Sequence, residues 1–468
     1  GMASNGIHSN ASTTGYNGNA GNIEVKTGSL FLTNGGHMST VLVVEGSTEN
    51  IQSAGDIKIN ARDTVKIEVE RSGLFTSLLN GAGESGNIEI ETKSFSITND
   101  GRLFTATNGR GNAGNIKLTT ESLFLDNSGF ILTETLNKGD AGTIELNVTD
   151  SILLSNSSRI SSNVGVEAEG KGGSININTQ DLTLLDGSRM TSSLSGKGRG
   201  GDIDINASES VNILSSRILS LTTAGASGDA GNITVTTGNF NIKDDAIVNA
   251  RTFNDGNAGN ITFNANTFTA TNGGGVTTTT FNSGNAGDIN LNIKDRITLS
   301  GIGKSLRSGL FAATSPESTG KGGSIFIDPR LVIIENGAGI SVGSSGTGDA
   351  GDITLQAGTL QLNNGFISAQ TASTKGGNIG LQISKLLLLR NESQITTTAG
   401  NEQFGGNGGN ININSKFIVA PQNEDSDITA NAFSGNGGRV DINSNGIFGI
   451  EAQDNLTLKS DITASSKT

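Results

Sequence analysis

The stretch Ala113-Gly114-Asn115-Ile116-Lys117-Leu118-Thr119-Thr120-Glu121-Ser122-Leu123-Phe124-Leu125, with Ile131 six residues on, sets the pattern of the chain. Its aliphatic residues stand two apart, at 116 and 118 and again at 123 and 125. Alternate residues of a strand share one face, so the spacing predicts short strands with one apolar side each. The pattern returns after Gly173 as Ile175, Ile177, Leu182, Leu184 and Met190. After Gly351 it is Ile353, Leu355, Leu360, Leu362 and Ile367. No stretch has the 3.6-residue spacing of a helix.

The start of this unit recurs fifteen times, as a small residue, Gly, a usually polar residue and Ile or Val. The anchor glycines are Gly21, Gly55, Gly86, Gly114, Gly142, Gly173, Gly201, Gly231, Gly259, Gly287, Gly323, Gly351, Gly377, Gly409 and Gly438. Their commonest spacing is 28 residues and their longest is 36, from Gly287 to Gly323. One repeat cannot bury three apolar faces alone, but coiling it into a three-sided rung and stacking the rungs does so. The expected fold is therefore all-β: a single right-handed parallel β-helix of about fifteen rungs, with three strands per rung. At the usual strand separation that is a rod on the order of 70 Å long. Residues 1–20 are expected to form a partial first rung and 21–468 the repeats, with an insertion at about 300–320.

Each anchor glycine is expected at a tight corner of positive φ. The residue beside it is most often Asn or Asp, as in Gly21-Asn22, Gly114-Asn115, Gly231-Asn232, Gly259-Asn260, Gly351-Asp352 and Gly409-Asn410. We read these as structural turn residues rather than ligands, since Asn and Asp bond adjacent backbone and can form ladders. Two residues before the anchor lies a second column. In it Lys321, Asp349 and Lys375 alternate in sign, which predicts an exposed ion-pair ladder of well under ~1 kcal/mol per pair.

Composition narrows the function classes. Hydrophobic residues are only 33%, yet their regular placement argues against disorder. A net charge of −13 and a pI near 4.7 make nucleic acid a poor partner. With no cysteine, disulfides and thiolate metal sites are excluded. No apolar run is long enough to span a membrane. The start, Gly1-Met2-Ala3-Ser4-Asn5, does not read as a signal peptide, and we take the chain as a fragment.

Three phrases carry a family resemblance. One is Gly-Asp-Ala-Gly-Asp-Ile at 348–353 with Leu-Gln-Leu-Asn-Asn-Gly-Phe-Ile-Ser-Ala at 360–369. A second is Ser308-Gly309-Leu310-Phe311-Ala312-Ala313-Thr314. The third is the C-terminal stretch 405–468, with Phe417-Ile418-Val419-Ala420-Pro421, Asp427-Ile428-Thr429-Ala430-Asn431-Ala432 and Gly446-Ile447-Phe448-Gly449-Ile450. Together they resemble the repeat region of filamentous-haemagglutinin-like exoproteins of cyanobacteria, over essentially the whole chain. The resemblance implies two-partner secretion through an outer-membrane β-barrel translocator, folding outside the cell, and adhesion to glycans or cell surfaces. It implies a secreted or outer-surface location. The family's amino-terminal secretion domain, with its Asn-Pro-Asn signature, is not matched, and no proline precedes Pro316.

Chemical sites are few. A polysaccharide-cleaving β-helix needs paired carboxylates on one face. Here the Asp residues fall mostly at turns, and the aromatic side chains common in sugar subsites reduce to Tyr16 with no Trp. We therefore expect no enzyme activity and no cofactor. His8 and His37, twenty-nine residues apart, could be neighbours. The acidic loop with Glu424, Asp425 and Asp427 offers hard oxygen ligands for Ca²⁺, although a solvated loop is the plainer reading. Thr277 to Thr280 is one local run, too little for an ice-binding face. The long 287–323 spacing, containing Ile302-Gly303-Lys304-Ser305-Leu306-Arg307, is the first choice for a partner contact, against a plain insertion. Three functions remain: an adhesive scaffold, a glycan-binding or glycan-cleaving β-helix, and a filament subunit that associates end to end through unpaired edges.

Overall fold

A computed structural model describes residues 6–14, 18–45, 52–400 and 405–466. The chain is all-β apart from the 3₁₀ turn Gln422–Glu424. It is a β-solenoid of about fifteen stacked parallel turns, and it divides into two compact units, Gly1–Val235 and Thr236–Thr468. Among the described residues no helix is long and apolar enough to cross a membrane.

Each turn has three strand legs, and the first two usually run on as one bent strand. In the first unit Ile116–Asp126 carries both aliphatic pairs of its repeat, and Phe130–Thr135 is the third leg. The bend shows as a register shift. Thr120 pairs with Val148 and Ser122 with Ser151, so the later turn fits one extra residue at the corner. In the second unit proline separates the two legs outright. Ile325–Ile327 and Leu331–Glu335 flank Asp328-Pro329-Arg330, and Pro329 has no N–H to give a ladder.

The core is built of stacked columns. In the first unit Ile57, Ile88, Ile116, Ile144, Ile175 and Ile203 are in register on successive turns, each essentially fully buried. In the second unit Ile261, Ile289, Ile325, Ile353, Ile379 and Ile411 do the same. Phe240, Phe263 and Phe268 pack together in that second core, with ring centroids 4.5 to 5.2 Å apart.

The anchor glycines are required for a different reason from the one expected. None of them has positive φ. What excludes a side chain is the neighbouring turn. A Cβ on Gly114 would lie far inside van der Waals contact distance of the Gly86 carbonyl oxygen. The same holds for Gly142 against Gly114, Gly287 against Gly259, Gly351 against Gly323 and Gly409 against Gly377. Buried threonines then meet these carbonyls from inside. The hydroxyls of Thr105, Thr133 and Thr278 donate to the carbonyls of Gly114, Gly142 and Gly287 at 2.5, 2.6 and 2.5 Å. Positive φ falls instead at the corner before the third leg, on Asn99-Asp100, Asn127-Ser128, Asn156-Ser157 and Asn272-Gly273. Asn and Asp tolerate that region better than most residues.

This contact makes a specific expectation. Gly114→Ala should lower stability by about 2 kcal/mol or more, since the backbones must separate or the turn must distort. Gly225→Ala, where a Cβ would meet nothing within 4 Å, should stay within about 0.5 kcal/mol of the parent. Urea unfolding followed by circular dichroism compares the two. Equal midpoints would show that the close approach is not limiting.

Candidate functional site

The residues beside the anchors form a ladder from side chain to backbone. Asn22 Oδ1 accepts the N–H of Asp56 at 2.9 Å, one turn on. Asn115 accepts from Thr143 at 2.8 Å, and Asp202 from Asn232 at 2.7 Å. In the second unit Asn260 accepts from Asp288 at 2.8 Å, Asp352 from Asn378 at 2.7 Å and Asn410 from Arg439 at 3.1 Å. Each side chain thus caps an N–H at a corner where the backbone itself offers no partner.

The second column behaves in the same way. Lys321, Asp349 and Lys375 lie on successive turns: the N–H of Gly322 donates to the Asp349 carbonyl at 2.9 Å, and that of Ala350 to the Lys375 carbonyl at 3.3 Å. The Asp349 carboxylate accepts the backbone N–H of Lys375 at 3.4 Å. Among the described residues no ion pair within 4 Å joins these three side chains.

A charge-alternating column stands elsewhere, on the outer face of the first unit. Glu24, Lys58, Glu89, Lys117 and Glu145 are in register on successive turns. Lys58 reaches Glu89 at 3.0 Å and Lys117 reaches Glu145 at 3.5 Å. The bond to Glu89 holds the Lys58 ammonium above its ordinary range. These residues are each third after an anchor glycine, so reading the repeats column by column would have found them.

The acidic loop is committed to its own chain. Glu424 makes a bidentate pair with Arg390, at 2.6 and 2.7 Å, and accepts the Asn391 N–H at 3.1 Å. The Arg390 bond holds the Glu424 carboxyl below its usual range. Asp425 ends the 3₁₀ turn with φ 51°. Asp427 is buried, and its Oδ1 accepts the Asp461 N–H at 3.0 Å. Burial, aided by the Asp425 and Asp461 charges, pushes the Asp427 carboxyl up to about 6. Among the described residues no three His, Cys, Asp or Glu side chains converge to hold a metal ion.

The other candidates resolve as follows. The rings of His8 and His37 are neighbours, with centroids 4.8 Å apart. Their Nδ1 atoms lie 2.8 Å from Ser39 Oγ and 3.0 Å from the Gly35 carbonyl. Thr277 and Thr279 are flanked in register by Asn249 and Arg251 on one side and by Phe311 and Ala313 on the other, so no threonine face extends from them. Tyr16 lies outside the described residues.

The long insertion is narrower than expected. Residues 301–308 form a small hairpin with an antiparallel bridge between Ile302 and Arg307, and Gly309–Thr314 is already the third leg of its turn. The hairpin's N–H groups are filled from within. Lys304, Ser305 and Leu306 donate to the Asp245 carboxylate at 3.0, 3.2 and 3.0 Å. Desolvation opposes these three bonds and the Lys304 charge, yet the balance holds the Asp245 carboxyl below its usual range.

Compared with protein-family models, curated proteins and solved structures, the chain has no match.

Two measurements check these assignments. The native state binds an extra proton at Asp427 between its ordinary value of 3.8 and about 6, so the C-terminal turns should gain stability as pH falls from 7 to 5. Asp427→Asn keeps the acceptor for Asp461 and should remove that pH dependence, with a gain on the order of 1 kcal/mol at pH 7 after solvent screening. Parallel pH profiles for parent and variant would contradict it. Separately, Asp245→Ala should accelerate amide exchange at Lys304, Ser305 and Leu306 while leaving the strand Ile289–Ser300 protected. In the parent the protection of the same amides, relative to their intrinsic exchange at each pH, should fall on acidification below the ordinary carboxylate range, since the depressed carboxyl loses its bonds only when protonated.

Proposed function

We propose that this chain is the repeat region of a secreted or cell-surface exoprotein of the filamentous-haemagglutinin-like, two-partner-secretion kind. It is a non-catalytic scaffold that attaches to surfaces, glycans or other cells, and it reaches the outside through an outer-membrane translocator. The observation that carries the reading is the stacking of outward positions in register from turn to turn. Each turn presents the same few columns at strand spacing, so one weak contact is multiplied along a stack. The carboxylates support the non-catalytic part. Asp56, Asp202, Asp288 and Asp352 are engaged with backbone N–H groups of the next turn, Asp245 with the hairpin and Glu424 with Arg390. A glycan-cleaving site needs such groups free and paired around a bond.

A second reading is a self-assembling filament subunit, which requires strands of separate copies to pair end to end.

Beads coated with the protein should be retained on live cells or polysaccharide-coated glass several-fold above beads carrying an unrelated acidic protein. No reducing ends should appear when the protein is incubated with the polysaccharides. Release of reducing ends, or retention equal to the control, would overturn the adhesive reading. Electron microscopy of the same preparation separates the second reading, which requires filaments rather than separate particles.

A further inference from the structure

The third legs of the first unit place one residue each at a shared register position. Along successive turns these are His37, Gly73, Arg102, Phe130, Arg159, Arg189 and Arg217. Four are arginines, and three of those are consecutive. Arg159, Arg189 and Arg217 are exposed and Arg102 is half-buried. Phe130 is only 8% exposed and lies between two guanidinium groups, Arg102 at 5.1 Å and Arg159 at 4.9 Å from its ring centre. Such stacking fixes the orientation of both heads.

This column is electrostatically anomalous. Elsewhere in the unit cations meet carboxylates, as in Lys58–Glu89, Lys93–Glu121, Lys117–Glu145 and Lys138–Glu169. Among the described residues no carboxylate lies within 4 Å of Arg102, Arg159, Arg189 or Arg217. Arg102 Nε is buried without a hydrogen-bond partner. Asp186, at the corner three residues before Arg189, forms no ion pair with it. Like charges directly opposite on paired strands destabilise a sheet, by about 1 kcal/mol for a solvated pair at this distance. A chain with net charge −13 keeps them side by side.

The surroundings indicate what would neutralise them. Next to the arginines on the same outer face, Ser161 is in register with Thr191, and Asn163 with Ser193. Of these Ser161 is buried, while Asn163, Thr191 and Ser193 are half-buried neutral hydrogen-bonding groups suited to hydroxyls. A carboxyl on this face, Glu134, is half-buried, and desolvation raises it toward its neutral form. Turns stack ~4.8 Å apart, close to the rise of one sugar unit in an extended polysaccharide. The guanidinium fork matches a carboxylate or sulfate through two parallel bonds. Phosphates of single-stranded nucleic acid could meet the same charges. However, bases need open aromatic platforms, and Phe130 is covered by its arginines.

We infer that the Arg102–Arg159–Arg189–Arg217 column, with Phe130 beneath it and the Asn163, Thr191 and Ser193 side chains beside it, is a binding site for a linear anionic glycan lying across the turns. This deepens the adhesive reading and rests on it for the setting in which the chain meets glycans.

The test uses the whole chain and four probes: polygalacturonate, dextran sulfate, neutral dextran and oligo(dT). Binding is followed by biolayer interferometry over a salt series. The parent should bind at least one acidic polysaccharide, with affinity falling as salt rises, and should not bind neutral dextran. Whichever acidic polymer binds tighter at matched charge tells carboxylate from sulfate. The exposed triple variant Arg159→Gln, Arg189→Gln, Arg217→Gln should keep the parent's circular dichroism and melting. It should bind at least tenfold more weakly with a shallower salt dependence. Binding within twofold of the parent, equal binding of neutral dextran, or tightest binding of oligo(dT) would each overturn the inference. Bead attachment separates the two readings. If parent and variant beads attach alike and neither binds acidic glycan, the column fails and adhesion stands. If acidic-glycan binding needs the arginines but parent beads do not attach, adhesion fails and the column stands.

Discussion

At each anchor corner two backbones pass so closely that no side chain fits between them. The carbonyl of one glycine occupies the space a Cβ on the next would need, as Gly86 does for Gly114 and Gly114 for Gly142. This approach sets the register of the turn that follows. The Ile two residues later is placed over the Ile of the preceding turn, and the Leu of the second leg over its counterpart. A slip of one residue would turn every aliphatic column outward. Buried threonines hold the same point from inside by donating to the glycine carbonyls. The Asn or Asp beside the glycine holds it from outside, by accepting an N–H one turn on. Glycine, threonine and amide therefore form one device rather than three separate preferences.

The same device occupies many of the short acidic side chains. A solenoid corner exposes backbone donors on every turn, and an unpaired donor is costly. Short oxygen-bearing side chains are the economical remedy, so many of the acidic residues are drawn into capping. Asp352 meets Asn378, Asp202 meets Asn232, and Asp245 serves three donors of the 301–308 hairpin. Carboxylates held in this way have their lone pairs directed along the stack. The chemistry left on the outside is that of columns.

Much of the fold was legible because the core obeys a period of two and the turns a period near 28. Both follow from geometry that every repeat must satisfy. The reason for the anchor glycine was not legible, because positive φ and close backbone approach select the same residue. Only the positions of the neighbouring carbonyls distinguish them. The charge ladder shows a different limit. Lys321, Asp349 and Lys375 share a register, but at a corner the Asp349 side chain has a backbone N–H nearer than an ammonium. On a flat strand face the backbone is already paired. There Lys58 and Glu89 are left to find each other. The acidic loop near 424 reads as a cation site from composition alone, and Arg390, thirty-four residues earlier, removes its principal ligand. Such long-range pairing follows from the stacking register, and spacing within one loop does not carry it.

Register is also what turns scattered residues into surfaces. Arg159, Arg189 and Arg217 are thirty and twenty-eight residues apart, and none is unusual alone. Stacked, they become three adjacent positive charges with a fourth beyond Phe130. A solenoid amplifies any choice made at one position of its repeat, because the choice recurs one strand spacing away. Where successive turns alternate sign, as at Glu24, Lys58, Glu89, Lys117 and Glu145, the column neutralises itself and stiffens the stack. Where they repeat one sign, the stack bears the repulsion and gains a linear field. The two columns belong to the same unit and to strands of the same turns, so the difference is not imposed by the fold. It lies in which side chains the repeats carry.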